Sequence, residues 1–118
     1  MVTLVRGAVC WGDLSEPRGS EPGYRRPVVI VSSDRFNRSR IRTVVVAAIT
    51  TSASAAAAPG NVSLSAGTAG LDRDCTVNVS QLLTLDRAVL GEPVGMIELM
   101  AVRRMDEGLR LVLGLSGP

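Results

Sequence analysis

Residues 27–31 read Pro-Val-Val-Ile-Val and residues 43–50 read Thr-Val-Val-Val-Ala-Ala-Ile-Thr. These two runs decide the fold. They are apolar, mostly β-branched and too short for stable helices, so they fit strands buried on both faces. Pro27 sits at the first position of its run, where a missing N–H is tolerated. Outward from this pair, Gly7–Leu14 (GAVCWGDL) reads as a first strand. Asn61–Leu64 (NVSL) alternates like an exposed strand, and Asp74–Val79 (DCTVNV) alternates with Cys75, Val77 and Val79 on one face. Glu92–Ile97 (EPVGMI) suits an edge strand, because Pro93 cannot donate to a ladder.

The segments between are punctuation. Ser15–Arg26 (SEPRGSEPGYRR) is a charged, Pro- and Gly-containing loop, long for a compact domain and therefore suspect as functional. Ser32–Ser39 is a polar connection with one helical turn. Thr51–Gly60 (TSASAAAAPG) is read as a flexible surface loop, because so short an alanine run is unstable alone and Pro-Gly ends it. Leu85–Leu90 suits one or two helical turns. The one strong helical period is C-terminal: Leu99, Val102, Met105, Leu109, Val112 and Leu113 recur on one face, with Arg103, Arg104, Asp106 and Glu107 opposite. Gly114 suits its C-terminal cap. The expected class is mainly β, a small barrel or strongly bent sheet of about five to seven short strands with a C-terminal amphipathic helix.

At 118 residues the chain has the length of one domain, taken as 1–118. Hydrophobic residues make up 46% and aromatic ones 3%, so the core must be aliphatic. No apolar run approaches membrane-spanning length, and Asp13 interrupts any secretory core near the N-terminus, so a cytoplasmic protein is expected. All thirteen basic residues are Arg and there is no His. That excludes every scheme needing an imidazole, including Ser-His-Asp triads and two-His ribonuclease chemistry. Cys10 and Cys75 are too few for a thiolate metal site and read as buried, reduced thiols. No metal ligand set and no cofactor motif are expected.

Three features carry chemistry. Gly19–Pro27 (GSEPGYRRP) places the Glu21 carboxylate and the Arg26 guanidinium at the mouth of a buried strand. Arg can hold a phosphate through two parallel hydrogen bonds, and Glu21 can accept a proton from a hydroxyl. The spacing alone also fits a charged surface loop with an incidental ion pair. Thr50, Thr51 and Ser52 bring hydroxyls to a strand end, where they can bind a phosphate oxygen; ordinary β-favouring Thr fits equally simply. Arg25, Arg26, Arg35, Arg38, Arg40 and Arg42 form a cluster that can make a basic patch despite a net charge of +2, or simply a solvated face.

Taken together, GSEPGYRRPVVIVS at 19–32 and VVVAAITTS at 44–52 resemble the MazF/PemK family of toxin endoribonucleases. PGNV at 59–62, LDRDCTVNVSQLLTLD at 71–86 and VGMIELMAVRRMDEGLRLVLGL at 94–115 follow in the family's order. The resemblance implies an SH3-like small barrel with a C-terminal helix and a homodimer. It implies metal-independent cleavage of single-stranded RNA, leaving a 2′,3′-cyclic phosphate and a 5′-hydroxyl. It places the key arginine on Arg26, the strand-end threonine on Thr50 and the loop glutamate on Glu21. Arg25, Thr51, Ser20 and Gln81 are the expected RNA-binding residues. The implied partners are RNA and a cognate antitoxin whose disordered, acidic C-terminal segment blocks the groove. The competing reading is a CcdB-like gyrase-binding toxin, which shares the fold without the nuclease; the Arg26–Thr50 pair with Gly-Ser-Glu ahead of it favours the ribonuclease.

Overall fold

The computed structural model describes residues 4–14, 19 and 24–116. Six strands form one antiparallel sheet: β1 (Ala8–Leu14), β2 (Tyr24–Ile30), β3 (Thr43–Thr50), β4 (Val62–Leu64), β5 (Cys75–Asp86) and β6 (Gly95–Met96). Their order across the sheet is β4-β5-β3-β2-β1-β6. The sheet curls into a half-barrel, and α3 (Leu99–Leu113) packs on it. Two short helices, α1 (Asp34–Asn37) and α2 (Ala53–Ala56), sit in the connections around β3.

The two apolar runs behave as their composition demands. Val29, Ala47 and Ile49 enter the cluster beneath α3, together with Val77, Val79, Met105 and Leu109. Val28, Ile30, Val44 and Val46 point to the opposite face and pack with Leu4, Ala8 and Cys10. Both strands are thus covered on both sides, which is why they read as continuous rather than alternating. The two cysteines lie in different clusters, on opposite faces of the sheet, and both are free.

Several sequence expectations need correction. β2 begins at Tyr24, not at Pro27, because Leu14, Asp13 and Gly12 of β1 extend the ladder to Tyr24, Arg25 and Arg26. The Thr51–Gly60 loop holds a helical turn, α2, held by Asn61, whose Nδ2 donates to the carbonyl of Ala55 at 2.9 Å. β4 is half-buried rather than exposed, with Val62 and Leu64 inside and Ser63 outside. β5 does not stop at Val79 but runs to Asp86, so Leu85 is strand, and only Arg87–Val89 forms a 3-10 turn. Along α3 the buried residues are Ala101, Met105, Gly108 and Leu109. Leu99, Val112 and Leu113, expected on the buried stripe, are exposed. The half-barrel covers only the middle of this helix. Gly114 does cap it, in the left-handed region at φ 70°.

Candidate active site

The site begins where β2 and β3 part. Val31 N–H donates to the Val45 carbonyl at 2.8 Å, and the Ile30 carbonyl accepts from Gly7. Odd-numbered residues of β2 therefore face β3, and even-numbered ones face β1. Pro27 turns toward β3 a nitrogen that carries no hydrogen, and the β2–β3 ladder is confined to Val28–Ile30. Beyond it β2 stays paired to β1 while Ile49 and Thr50 stay paired to β5. The strands diverge, and the gap between them is the site.

Two clefts open there, of about 460 and 470 Å³, and Arg26, Thr50 and Ser52 line both. These three residues form the ridge between them. The first cleft adds Trp11, Arg25, Pro27, Leu71, Asp72 and Arg73. The Arg25 guanidinium lies over the Trp11 ring, 5.7 Å from its centroid. The second adds Ser54, Asn61, Asn78, Ser80 and Gln81.

The second cleft exists because β5 bulges. Ala47 pairs with Leu82, yet the next residue, Ala48, pairs with Asn78, so residues 79–81 have no counterpart on β3. Such bulges bend a strand and re-aim its side chains. Here the bulge is held from both ends. The Asn78 Oδ1 accepts from the Ser80 N–H at 3.2 Å and from its hydroxyl at 2.7 Å. The Asn61 Oδ1 accepts from the Val79 N–H at 2.9 Å. Asn61 thereby ties α2 to the bulge.

On the ridge, the Thr50 Oγ1 accepts from the Ser52 N–H at 3.1 Å. This fixes the hydroxyl oxygen and leaves its own hydrogen to donate outward. Cys75 sits in the wall of the first cleft; burial chiefly, and the neighbouring Asp74 carboxylate in addition, push its thiol above the ordinary range. It therefore stays protonated and is a poor nucleophile near neutral pH. Among the described residues no group of three or more His, Cys, Asp or Glu is placed to hold a metal.

Of the residues named from sequence, Arg26 and Thr50 meet on the ridge, Arg25 and Thr51 line the first cleft, and Gln81 lines the second. Ser20 and Glu21 lie outside the described residues. The wider arginine cluster does not join the site. Arg35, Arg38, Arg40 and Arg42 lie around α1 and just ahead of Thr43, at the far end of β3 from Thr50. An eight-residue strand separates these ends by roughly 24 Å. Trp11 and Asn78 were missed as site residues. Trp11 is the only tryptophan in the sequence, a signal that aromatic stacking on a base makes usable. Asn78 gave none short of the bulge.

A family model described as PemK-like, MazF-like toxin of type II toxin-antitoxin system matches residues 5–113. The chain is 43% identical over 114 residues to the endoribonuclease MazF2 of Mycobacterium bovis, covering 97% of this chain and 100% of that protein. Among solved structures, an endoribonuclease in complex with its cognate antitoxin from a mycobacterial species matches at 25% identity with a TM-score of 0.78, over 97% of this chain and 98% of that one. MazF from Deinococcus radiodurans matches at 21% identity with a TM-score of 0.79, over 97% and 99%, a likeness of fold.

Proposed function

This chain belongs to the PemK-like, MazF-like toxin family, and from that premise we propose that it is the endoribonuclease toxin of a type II toxin–antitoxin pair, cutting single-stranded RNA on the Arg26–Thr50 ridge. The carrying observation is that this ridge separates two clefts. A phosphodiester lying on it has a cleft for the nucleotide on either side.

The reaction is attack of a ribose 2′-hydroxyl on its own 3′-phosphate, giving a 2′,3′-cyclic phosphate and a free 5′-hydroxyl. The nucleophile belongs to the substrate, so no metal-bound hydroxide is required. Arg26 stabilises the dianionic phosphorane with paired N–H donors. Thr50, with its oxygen fixed by Ser52, donates its hydroxyl hydrogen to a non-bridging oxygen. Glu21 is assigned the proton from O2′, and solvent supplies the proton that O5′ takes up as it leaves. Arg25 and Thr51 hold the chain in the first cleft and Gln81 in the second; Ser20 joins them.

The toxin domain is taken as 1–118 and the site of action as the cytoplasm; among the described residues no helix is long and apolar enough to cross a membrane. A homodimer is supported by the exposed apolar side chains of α3. Inhibition is assigned to an acidic antitoxin segment lying in the clefts. The deciding experiment treats an RNA pool with the purified protein and maps the new ends. Sites carrying a 5′-hydroxyl downstream and a cyclic phosphate upstream are expected; 5′-phosphate ends would refute the mechanism.

A further inference from the structure

The two clefts differ in chemistry, and the difference bears on which RNA sequences are cut; the argument rests on the ribonuclease reading above. The first sets the Trp11 ring, Pro27 and Leu71 against each other, with Arg25 stacked on the indole, and Thr51, Asp72 and Arg73 complete its lining. Apolar and aromatic walls hold any base by its face, so they discriminate little. The second presents amides and hydroxyls, which read a base by its edge.

Within the second cleft most polar atoms are committed. Asn61 spends Oδ1 on Val79 and Nδ2 on Ala55. Asn78 spends only Oδ1, on the Ser80 turn. Because a backbone N–H can only donate, the amide's orientation is fixed: oxygen inward to the bulge, nitrogen outward. Its Nδ2 has no partner among the described residues, so Asn78 offers two N–H donors. A donor selects an acceptor, and the acceptor that separates bases of equal size is the ring carbonyl: O4 in uracil against N4–H2 in cytosine, O6 in guanine against N6–H2 in adenine.

We infer that Asn78 is a specificity-determining residue: it reads the nucleobase on one side of the cut through Nδ2, selecting uracil or guanine over cytosine or adenine, while the Trp11 ring holds the nucleotide on the other side by its face. Sequence stringency is therefore lopsided about the scissile bond.

The decisive variant is Asn78→Asp. It keeps the oxygen that holds the Ser80 turn and replaces the donors by a second acceptor. The assay gives the purified full chain an RNA pool randomised around the cut and compares the four bases at each flanking position within each variant, so that uniform repulsion by the added carboxylate cancels. Wild type is expected to favour uracil or guanine at one flanking position on the order of tenfold. Asn78→Asp is expected to reverse that ratio toward cytosine and adenine. Trp11→Ala is expected to slow cutting of all sequences alike without moving the ratio. If Asn78→Asp cuts too slowly to map, the same ratio is read from competition binding of oligonucleotides with a deoxyribose at the cut, and the same reversal is expected. An unchanged ratio in Asn78→Asp, no such preference in wild type, or a ratio moved by Trp11→Ala instead, overturns the inference. Failure of wild type to cut any RNA is a different result, and it overturns the ribonuclease reading beneath it.

Discussion

Gly108 of α3 lies directly against the carbonyl oxygen of Gly60: a Cβ on Gly108 would come within 2.1 Å of that oxygen and 3.0 Å of its carbon. Both neighbours are backbone, so neither can rotate aside. Gly60 also sits at φ +83°, a region that glycine enters without cost. This contact sets how closely the helix lies on the sheet. It also sets where Asn61, the next residue, meets the β5 bulge.

Gly108→Ala should therefore destabilise the fold by about 1–3 kcal/mol, the usual cost of overpacking. Urea unfolding measures it. Gly91→Ala is the control, since a Cβ there would meet only the Trp11 carbonyl oxygen, at an ordinary 3.5 Å; it should be close to neutral. Equal stability of the two variants would refute the packing argument.

Arg26→Ala should lower the cleavage rate by about 10²–10³, the typical loss for a donor to a developing oxyanion, with unfolding unchanged. Arg26 adds charge to the ridge rather than apolar area to the core. Arg26→Lys should recover only part of the loss, because a lysine keeps the charge but not the planar fork. Thr50→Ser should retain activity where Thr50→Val does not. Single-turnover kinetics on one oligonucleotide separates these outcomes, and a wild-type rate in Arg26→Ala would remove the assignment.

Cutting should continue in excess chelator. A substrate with a deoxyribose immediately 5′ of the scissile bond should resist cutting and act as an inhibitor, since it lacks the nucleophile. Cutting of that oligonucleotide would rule out the cyclic-phosphate route.

How much of this could be read from the residues depends on what each element depends on. β1, the Val28–Ile30 core of β2, β3 and α3 were legible because their own composition fixes them. The start of β2 was not, since Tyr24-Arg25-Arg26 is charged and gains strand geometry only from β1 opposite. β5 was cut short for a related reason: Asn78, Ser80 and Gln81 look like a strand end, and they are polar because they form a bulge inside a longer strand. Arg26 and Thr50 were legible through the resemblance; that they share a ridge follows from Pro27 ending one ladder, which is a tertiary fact. Trp11 enters the first cleft only through its pairing with Pro27.

The thiols predict a pH dependence. Burial pushes Cys10 upward, and burial with the Asp74 carboxylate pushes Cys75 upward. A folded-state value above the unfolded one means that the folded chain holds its proton more tightly. This stability is fully present below the unfolded value, near 8.5, and is lost as the pH rises beyond it toward the folded value. Unfolding free energy should thus fall as the pH rises above about 8.5, and Cys10→Ala should flatten the slope. A flat profile in the native protein would contradict the shifts.

Dimerisation should run through α3. Near its C-terminus Leu111 is 62% exposed and Leu113 53%, and Leu115 just beyond is 59% exposed, apolar side chains left uncovered in one protomer. Sedimentation at micromolar concentration should give twice the chain mass of 12.4 kDa. Leu111→Glu with Leu113→Glu should give the monomer, because buried unpaired carboxylates are costly. A wild-type monomer that still cuts RNA would dispose of the interface.

Antitoxin inhibition should be competitive with RNA. The clefts carry Arg25, Arg26 and Arg73 beside the apolar walls of Trp11, Pro27 and Leu71. A disordered segment with carboxylates and apolar side chains can satisfy both kinds of surface as it folds onto them. Its carboxylates would lie where phosphates otherwise lie. The gene next to this one should encode a small protein with such an acidic C-terminal segment. A peptide of that segment should inhibit with a midpoint that rises in proportion to the RNA concentration, and added salt should weaken it. Arg26→Ala should weaken peptide binding as it weakens RNA binding, since both anions meet the same guanidinium. Inhibition that ignores RNA concentration would place the antitoxin elsewhere on the surface.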